Sequence, residues 1–275
     1  MESIFAHAKA CIEARDPDQK MALSRAAVRA WNDGRLSLED ACPPEPIGDP
    51  GRPDRPVLVA PRDVPRRSPH TPGGRAALIH ALTHIEFNAV NLHWDAVYRF
   101  RGMPRAYYDD WIRVADDEVR HFELLRDRLR ELGHDYGDFA AHNGLWEMAL
   151  KTAHDPMARM ATVPRALEAR ALDAVPTILE RLRSAGDTRT VELLEVILRD
   201  EEEHVAAGSR WLHYLCEQQG LDMEQTYRRL LERYMPGSAL RGPLQRAARL
   251  RAGFSEAELR WLERLRDGGG SVDGC

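Results

Sequence analysis

The sequence predicts an all-α protein whose main body is an antiparallel four-helix bundle with helical extensions at both ends. Long segments carry apolar residues at three- and four-residue spacing, which is the period of an α-helix. Glycine and proline signals divide the main segments into two hairpins, and the same acidic and histidine pattern occurs in each hairpin. With 275 residues, 43% of them apolar, the chain can bury one substantial core.

The first hairpin is predicted from its apolar face and its two turn signals. Its first helix should run from about Gly74 to Phe100, where the segment Arg101-Gly102-Met103-Pro104 ends it. The second helix should run from about Arg105 to Glu131, and Gly133 supplies its stop. Two helices joined by so short a connection are expected to pack antiparallel.

The second hairpin begins at Asp155, which is followed by proline and is typical of a helix N-cap. The third bundle helix should reach about Arg183, with Pro164 and Pro176 inside it. Each proline removes a backbone donor, so the sequence predicts kinks and a disturbed hydrogen-bond ladder beside Glu168. The fourth helix follows and ends near residue 219, before a glycine.

The sequence predicts four regions. Residues 1–41 form an N-terminal helical appendage, and residues 42–73 form a linker rich in proline and arginine. Prolines occur too often in this linker for a helix interior, so it should run extended over the surface. Residues 74–220 form the bundle, and residues 221–275 form a C-terminal helical extension.

Charge and hydropathy limit the classes of partner. A net charge of −5 argues against general binding of polyanions, and nucleic acid is not the expected partner. The arginines of the linker can form a local basic patch or a solvated surface. No stretch approaches about 18 consecutive apolar residues, and the N-terminus lacks a basic region followed by an apolar run. We therefore expect a cytoplasmic protein without a membrane partner.

The four cysteines give no sign of a metal-binding pair. Cys11, Cys42, Cys216 and Cys275 are widely separated, and no Cys-x-x-Cys sequence occurs. This pattern excludes a zinc knuckle and a rubredoxin-like iron centre. The cysteines are expected to be reduced and structural.

Two Glu-x-x-His motifs are the strongest functional signal. Glu118 and His121 form the first motif, and Glu201 and His204 form the second. A single glutamate precedes each motif on the preceding predicted helix, 32 residues before Glu118 and 33 residues before Glu201. The candidate metal ligands are therefore the six residues Glu86, Glu118, His121, Glu168, Glu201 and His204.

Hairpin geometry predicts that these side chains meet. Glu86 lies about 16 residues before its turn and Glu118 about 16 residues after it, roughly 24 Å along each helix. In the second hairpin Glu168 lies about 17 residues before the turn and Glu201 about 15 after it. Within each motif, the three-residue spacing places carboxylate and imidazole on one helix face. All four carboxylates are expected at the same height.

Four carboxylates and two imidazoles match the ligand set of ferritin-like di-iron and di-manganese bundles. Hard carboxylates with one imidazole for each ion favour iron or manganese over zinc or copper, and we expect iron before manganese. The alternative is a set of ordinary surface charges, since 30% of the residues are charged. Two motifs in register among apolar residues favour a site. Buried carboxylates would need a cation to offset their charge.

Four further residues have expected roles near this site. Asp117 and Asp200 each precede a motif glutamate, and each is predicted to hold the imidazole of the other motif by its free N–H group. The alternative for both is a solvated acid. His93 shares the face of Glu86 and either lines a channel or is a core histidine. Arg165 is expected to form an ion pair.

Several phrases in the sequence carry a resemblance to a known superfamily. The ligand positions resemble those of the ferritin-like superfamily. The phrases Arg159-Met160-Ala161, Pro164-Arg165-Ala166-Leu167-Glu168-Ala169-Arg170 and His142-Asn143-Gly144-Leu145-Trp146 resemble a bacterial family of unknown function within it. The resemblance spans about Gly74 to Gln219. It implies an antiparallel bundle with a carboxylate-bridged dimetal centre, and it implies no substrate.

Related bundles set the functional alternatives. They include ferritins, rubrerythrins, manganese catalases and dioxygen-activating hydroxylases, one of which acts on modified tRNA. The chain lacks rubredoxin cysteines, so an external protein would have to supply electrons, and its long extensions are unlike a compact ferritin subunit.

The leading hypothesis is an oxidoreductase that activates dioxygen or peroxide, with hydroxylation as the favoured outcome. The alternatives are non-catalytic iron binding of the ferroxidase type, manganese catalase-like disproportionation of peroxide, and an interaction module stapled by metal. A modified-tRNA substrate and an oligomer both stay open.

Overall fold

The computed structural model describes residues 1–39, 43–65, 67–236 and 243–268. Apart from a parallel pair of two-residue strands, β1 (Glu2–Ser3) and β2 (Leu36–Ser37), and one isolated bridge, the regular structure of these residues is helical. The predicted all-α class is confirmed. The chain forms two compact units, Met1–Leu150 and Lys151–Cys275. The predicted regions, including the bundle 74–220, stay predictions.

The first unit contains the predicted first hairpin. Its helices are α1 (Ile4–Glu13), α2 (Pro17–Asn32), α3 (Pro72–Arg99), α4 (Arg105–Glu131) and α5, which begins in this unit (Gly144–Lys151). The hydroxyl of Thr71 accepts a hydrogen bond from Gly74 N, which fixes the start of α3. Gly102 and Gly133 have positive φ angles after α3 and α4. The ends of α3 and α4 thus lie within two residues of their predicted bounds.

The N-terminal helices pack against this hairpin. Trp94 of α3 donates its indole hydrogen to Ser24 Oγ at 2.7 Å, and Trp31 donates to Asp109 Oδ1 of α4 at 2.8 Å. Consequently α3 is buried on nearly every side between residues 86 and 98. The segment 43–65 is largely irregular, as its prolines predict, and Gly51 N donates to Ile12 O of α1.

Lys20 connects three helices of the first unit. Its buried ammonium lies 2.6 Å from Cys11 O and 2.8 Å from Ile12 O, near the C-terminus of α1. It also lies 2.7 Å from Asn91 Oδ1 of α3. The three N–H donors of a lysine thereby meet three acceptors, which is how a buried ammonium is tolerated. Burial nevertheless lowers the pKa of Lys20 to about 7.

Replacing Lys20 with methionine should destabilise the fold and change its pH dependence. The lost donors leave buried carbonyls unsatisfied, at a cost of about 1–3 kcal/mol or more. Because the unfolded lysine keeps its proton up to about pH 10.5, wild-type stability should rise from pH 7 towards pH 10. The Lys20→Met variant should lack this part of the rise. Urea unfolding of both proteins at about pH 7 and about pH 9.5 measures this rise, because folded Lys20 loses its remaining positive charge between these two values. Parallel pH dependences of the two proteins would contradict the prediction.

The second unit contains the predicted second hairpin and the C-terminal helices. Its elements are α6 (Pro156–Thr162), a π-helical segment (Val163–Glu168), α7 (Ala169–Ser184), α8 (Thr188–Gln218), α9 (Met223–Tyr234), α10 (Arg246–Arg251) and α11 (Glu256–Gly268). The predicted third helix is therefore interrupted. Pro164, which lacks a backbone donor, lies in the π-helical segment, and the predicted irregularity beside Glu168 is confirmed.

Gly208 of α8 allows the π-helical segment to approach closely. A Cβ atom at this position would lie 2.7 Å from Cβ and from Cγ of Pro164, closer than side-chain atoms approach in proteins. The close approach therefore requires glycine here.

Two of the four cysteines lie among the described residues. Cys11 and Cys216 are free and buried, whereas Cys42 and Cys275 lie outside the described residues.

Among the helices in the described part of the chain, none combines the length and the apolar character needed to cross a membrane.

Candidate metal centre

The first hairpin brings three of the predicted ligands together. Glu86 projects from α3, and Glu118 and His121 project from α4; each offers a ligand atom within 4.8 Å of those of the others. Glu118 and His121 are fully buried, and Glu86 is 5% exposed. His121 Nδ1 lies 3.2 Å from Glu118 Oε2 and 3.6 Å from Glu86 Oε2. These three residues can hold a metal ion.

The electrostatics of this cluster favour a cation. Burial raises the pKa of Glu86, and the negative charge of Glu118 raises it further, while His121 opposes the shift. Glu86 Oε2 is buried and accepts no hydrogen bond from the described residues. Two buried carboxylates at this distance repel each other, and neutralisation requires a shared proton or a bound cation.

His93 contacts the other oxygen of Glu118. Its Nε2 lies 3.2 Å from Glu118 Oε1, and its ring stacks on Trp111 with centroids 5.3 Å apart and planes 6° apart. The sequence allowed two roles for His93, in a channel or in the core. The structure places its imidazole against the carboxylate of Glu118, a predicted metal ligand. The available signal was its seven-residue separation from Glu86, two turns along one face.

The second hairpin carries the matching residues. Glu201 and His204 of α8 are buried, and His204 Nδ1 lies 3.9 Å from Glu201 Oε1. Glu168 ends the π-helical segment, and both of its carboxylate oxygens are shielded from solvent. The π-helical segment packs against α8. The backbone that carries Glu168 is therefore irregular, whereas Glu201 lies on a regular helix.

The C-terminal helices hold the π-helical segment through Arg165, which is fully buried. Both terminal nitrogens of its guanidinium donate to the Glu258 carboxylate at 2.8 Å, and its Nε donates to Ser209 Oγ at 3.0 Å. Its Cζ lies 4.3 Å from the ring centroid of Tyr227 and 4.2 Å from that of Phe254. The predicted ion pair of Arg165 is confirmed, and its partner lies in the C-terminal extension.

A second buried arginine makes similar contacts with α7, about one helical turn beyond Arg165. Arg249 of α10 donates to the Asp173 carboxylate of α7, with its Nη2 at 2.6 Å from Oδ2, and to Ala169 O at 3.3 Å. Ala169 is the first residue after Glu168. Charged hydrogen bonds to the C-terminal region therefore hold the irregular stretch at Arg165, in its middle, and at Ala169, directly after its end.

The two aspartates beside the motif glutamates are partly exposed. Asp117 pairs with Arg120 at 2.7 Å and with Arg113 at 3.7 Å on the outer side of α4. Asp200 lies on α8 at the corresponding position of the second motif. The predicted roles of both residues towards the imidazoles stay predictions.

The fold and the first hairpin define an all-helical protein with a buried cluster of carboxylates and histidine that can hold a metal ion. The chain belongs to the family described as "Protein of unknown function (DUF455)", whose model matches residues 13–260. A protein of Haemophilus influenzae, named only as uncharacterized, is 48% identical over 217 residues, which cover 76% of this chain and 75% of that protein. No solved structure matches.

Proposed function

We propose that this chain is a dimetal carboxylate protein with a ferritin-like four-helix arrangement. The six ligands are Glu86, Glu118, His121, Glu168, Glu201 and His204. The observation that carries the proposal is the cluster of Glu86, Glu118 and His121, buried and within 4.8 Å of one another. A cluster with this charge and burial is costly without a cation.

The glutamate and histidine pattern of the first hairpin occurs again in the second, which extends the proposal from one metal ion to two. The second motif has the same spacing, a preceding glutamate at nearly the same separation, and the same burial of its glutamate and histidine. In a ferritin-like bundle both hairpins direct these side chains inward, so that carboxylates bridge two ions and each ion has one histidine.

The ligand set favours iron, with manganese as the alternative. Carboxylate oxygens suit hard divalent ions, and a single imidazole for each ion is fewer nitrogen ligands than zinc or copper sites usually hold. The two cysteines that the structure describes, Cys11 and Cys216, are buried, and burial raises the pKa of the Cys11 thiol. Neither residue has the character of a thiolate ligand.

We propose an oxidoreductase that activates dioxygen or peroxide, with hydroxylation as its outcome and a separate protein as electron donor. Bound iron would supply electrons in pairs to the oxidant. The protein's own residues would hold the ions and exclude water: Glu118 and His121 are fully buried, and apolar side chains surround them on α4. The competing functions are ferroxidase-type iron handling and manganese catalase-like chemistry.

Anaerobic loading with ferrous iron followed by exposure to dioxygen tests this function. We expect new near-ultraviolet absorption as both ions are oxidised, with dioxygen consumed in proportion to protein. Iron that stays bound and supports repeated reduction and reoxidation favours an oxidoreductase. Release of ferric iron or growth of a mineral core would instead assign iron handling. Failure of the loaded protein to react with either dioxygen or peroxide would refute the redox proposal.

A further inference from the structure

We propose that the exposed edge, formed by residues 57–60, binds an extended acidic segment of a partner protein by β-strand addition. In this mode a peptide pairs its backbone with an unpaired strand edge, and side chains add specificity. The proposed binding does not depend on the metal site. It gives a role to arginines of the predicted linker, which have no part in the proposed function.

The exposed edge is apolar although solvent reaches it. Its sequence is Val57-Leu58-Val59-Ala60, with a proline directly before it and another directly after it. After Met1, Val57 is the most exposed large apolar side chain among the described residues, at 60%, and no residue of the edge is buried. A run of about four apolar residues that solvent reaches usually has a functional reason.

The backbone of the exposed edge is paired on one side. Val59 N donates to Ala141 O at 2.8 Å, and Ala141 N donates to Val57 O at 3.1 Å, which forms a parallel bridge. In this pattern the N–H and C=O groups of Leu58 point to the opposite side. Neither group has a hydrogen-bond partner among the described residues. Leu58 therefore offers one donor and one acceptor to an incoming strand.

The connection between α4 and α5 holds the exposed edge in place. Ala141 lies in this connection, and the carbonyl oxygen of the next residue, His142, lies 3.0 Å from His84 Nε2 of α3. The chain before the edge packs closely as well, because a Cβ atom on Gly137 would lie 3.1 Å from Cβ of Arg55. A strand that is already fixed loses little conformational freedom on binding, which favours association.

Positive charge flanks the exposed edge at both ends. Arg55 and Arg62 each stand two residues outside it; both are exposed, and the Arg62 side chain is 89% exposed. Asp54 pairs with Arg15 at 2.8 Å, and Arg62 lies 3.8 Å from Asp63. No ion pair of Arg55 occurs in the described part of the chain. Carboxylates at the two ends of a bound segment would therefore meet guanidinium groups.

The same charges disfavour a second copy of the chain as the occupant. Two-fold symmetric, antiparallel pairing of two exposed edges would bring Arg55 of one copy near Arg62 of the other. Like charges across paired strands are destabilising. Pro56 and Pro61 also keep the pairing short, because neither has an N–H group to donate. A short pairing with charged ends fits a transient, acidic partner.

Fluorescence anisotropy with the full chain tests the charge preference. The probe is a fluorescein-labelled peptide of alternating valine and threonine with aspartates at both ends. It should bind saturably, and a peptide with lysines in place of the aspartates should bind at least about tenfold more weakly. Replacing Arg55 and Arg62 together by alanine should weaken binding of the acidic peptide about fivefold. Arg29→Ala, which removes an exposed arginine of α2, should leave binding unchanged.

A proline at position 58 tests the backbone pairing. Leu58→Pro removes the outward N–H group but keeps the hydrogen bonds with Ala141, which use the neighbouring residues. It should weaken binding of the acidic peptide by about tenfold. Leu58→Val, which keeps the donor, should bind as the wild type does. If Leu58→Pro disturbs the fold by circular dichroism, an acidic peptide with methylated backbone nitrogens tests the same pairing on the wild-type chain and should also bind about tenfold more weakly.

Three results would overturn the proposal. The first is failure of the acidic peptide to bind, or equal binding of the acidic and basic peptides. The second is unchanged binding after the backbone donors are removed on either side. The third is self-association of the wild-type chain that Leu58→Pro abolishes, because it would assign the exposed edge to a second copy.

Discussion

Replacing Glu118 with alanine should remove at least one of the two metal ions. Glu118 is fully buried, lies between Glu86 and two imidazoles, and is the proposed bridging or terminal ligand of the first half-site. Without Glu118, only Glu86 and His121 remain as ligands in this hairpin, and two ligands are too few for a carboxylate-rich metal site. Elemental analysis after anaerobic ferrous loading and desalting measures the change.

Glu203→Ala is the matched control for this prediction. Glu203 lies within the second motif sequence but is exposed, so its removal takes one carboxylate from the protein without touching the proposed ligands. It should leave the metal content unchanged. An unaltered metal count in the Glu118→Ala variant, with its fold intact by circular dichroism, would refute the assignment of Glu118.

Replacing Glu258 with alanine should destabilise the second unit by about 3–5 kcal/mol, because it leaves the buried guanidinium of Arg165 without its carboxylate. Glu258 also accepts from Ser255 N while Ser255 Oγ accepts from Glu258 N, so the substitution removes a capping box at the start of α11. Chemical unfolding of the metal-free protein gives the change in free energy.

An exposed pair in the same unit serves as comparison. Arg251 donates to Glu202 at 2.6 and 2.7 Å, but the arginine side chain is 61% exposed, so solvent weakens the pair, and Glu202→Ala should change the free energy of unfolding far less than Glu258→Ala does. Replacing both members of the buried pair, as Arg165→Met with Glu258→Leu, should recover part of the loss. Equal, small effects of the Glu258 and Glu202 substitutions would show that burial does not strengthen the Arg165 interaction.

The regular parts of the fold could be predicted because local signals coincide with helix ends. Thr71 caps α3, Gly102 and Gly133 follow α3 and α4, and Asp155 caps α6. The approach of Glu86 to Glu118 was likewise predictable, since equal distances from one turn place the two residues at one height.

Other features depend on contacts between distant parts of the chain. Pro164 predicted an irregular backbone, but the π-helical form also involves Gly208 and the ion pair between Arg165 and Glu258, which are far apart in sequence. The helix α5 lies between the two predicted hairpins, in residues for which no helix was predicted. Its Trp146 donates to Gly48 O of the proline-rich segment, a partner that local patterns do not indicate.

His93 shows the same limit at the site. Its position on the face of Glu86 was evident from spacing, but helical periodicity does not give the depth or rotation of a side chain. Its hydrogen bond to Glu118 depends on the separation of α3 and α4 and on the stacked ring of Trp111.

The metal content of the wild-type chain tests the central claim most directly. Protein prepared without metal, loaded anaerobically with excess Fe²⁺ and then desalted should retain two iron ions per chain by elemental analysis. Parallel loading with Mn²⁺ should give the same number if ligand geometry rather than ion identity sets the stoichiometry. Retention of one ion or none under both conditions would contradict a site built from both Glu-x-x-His motifs.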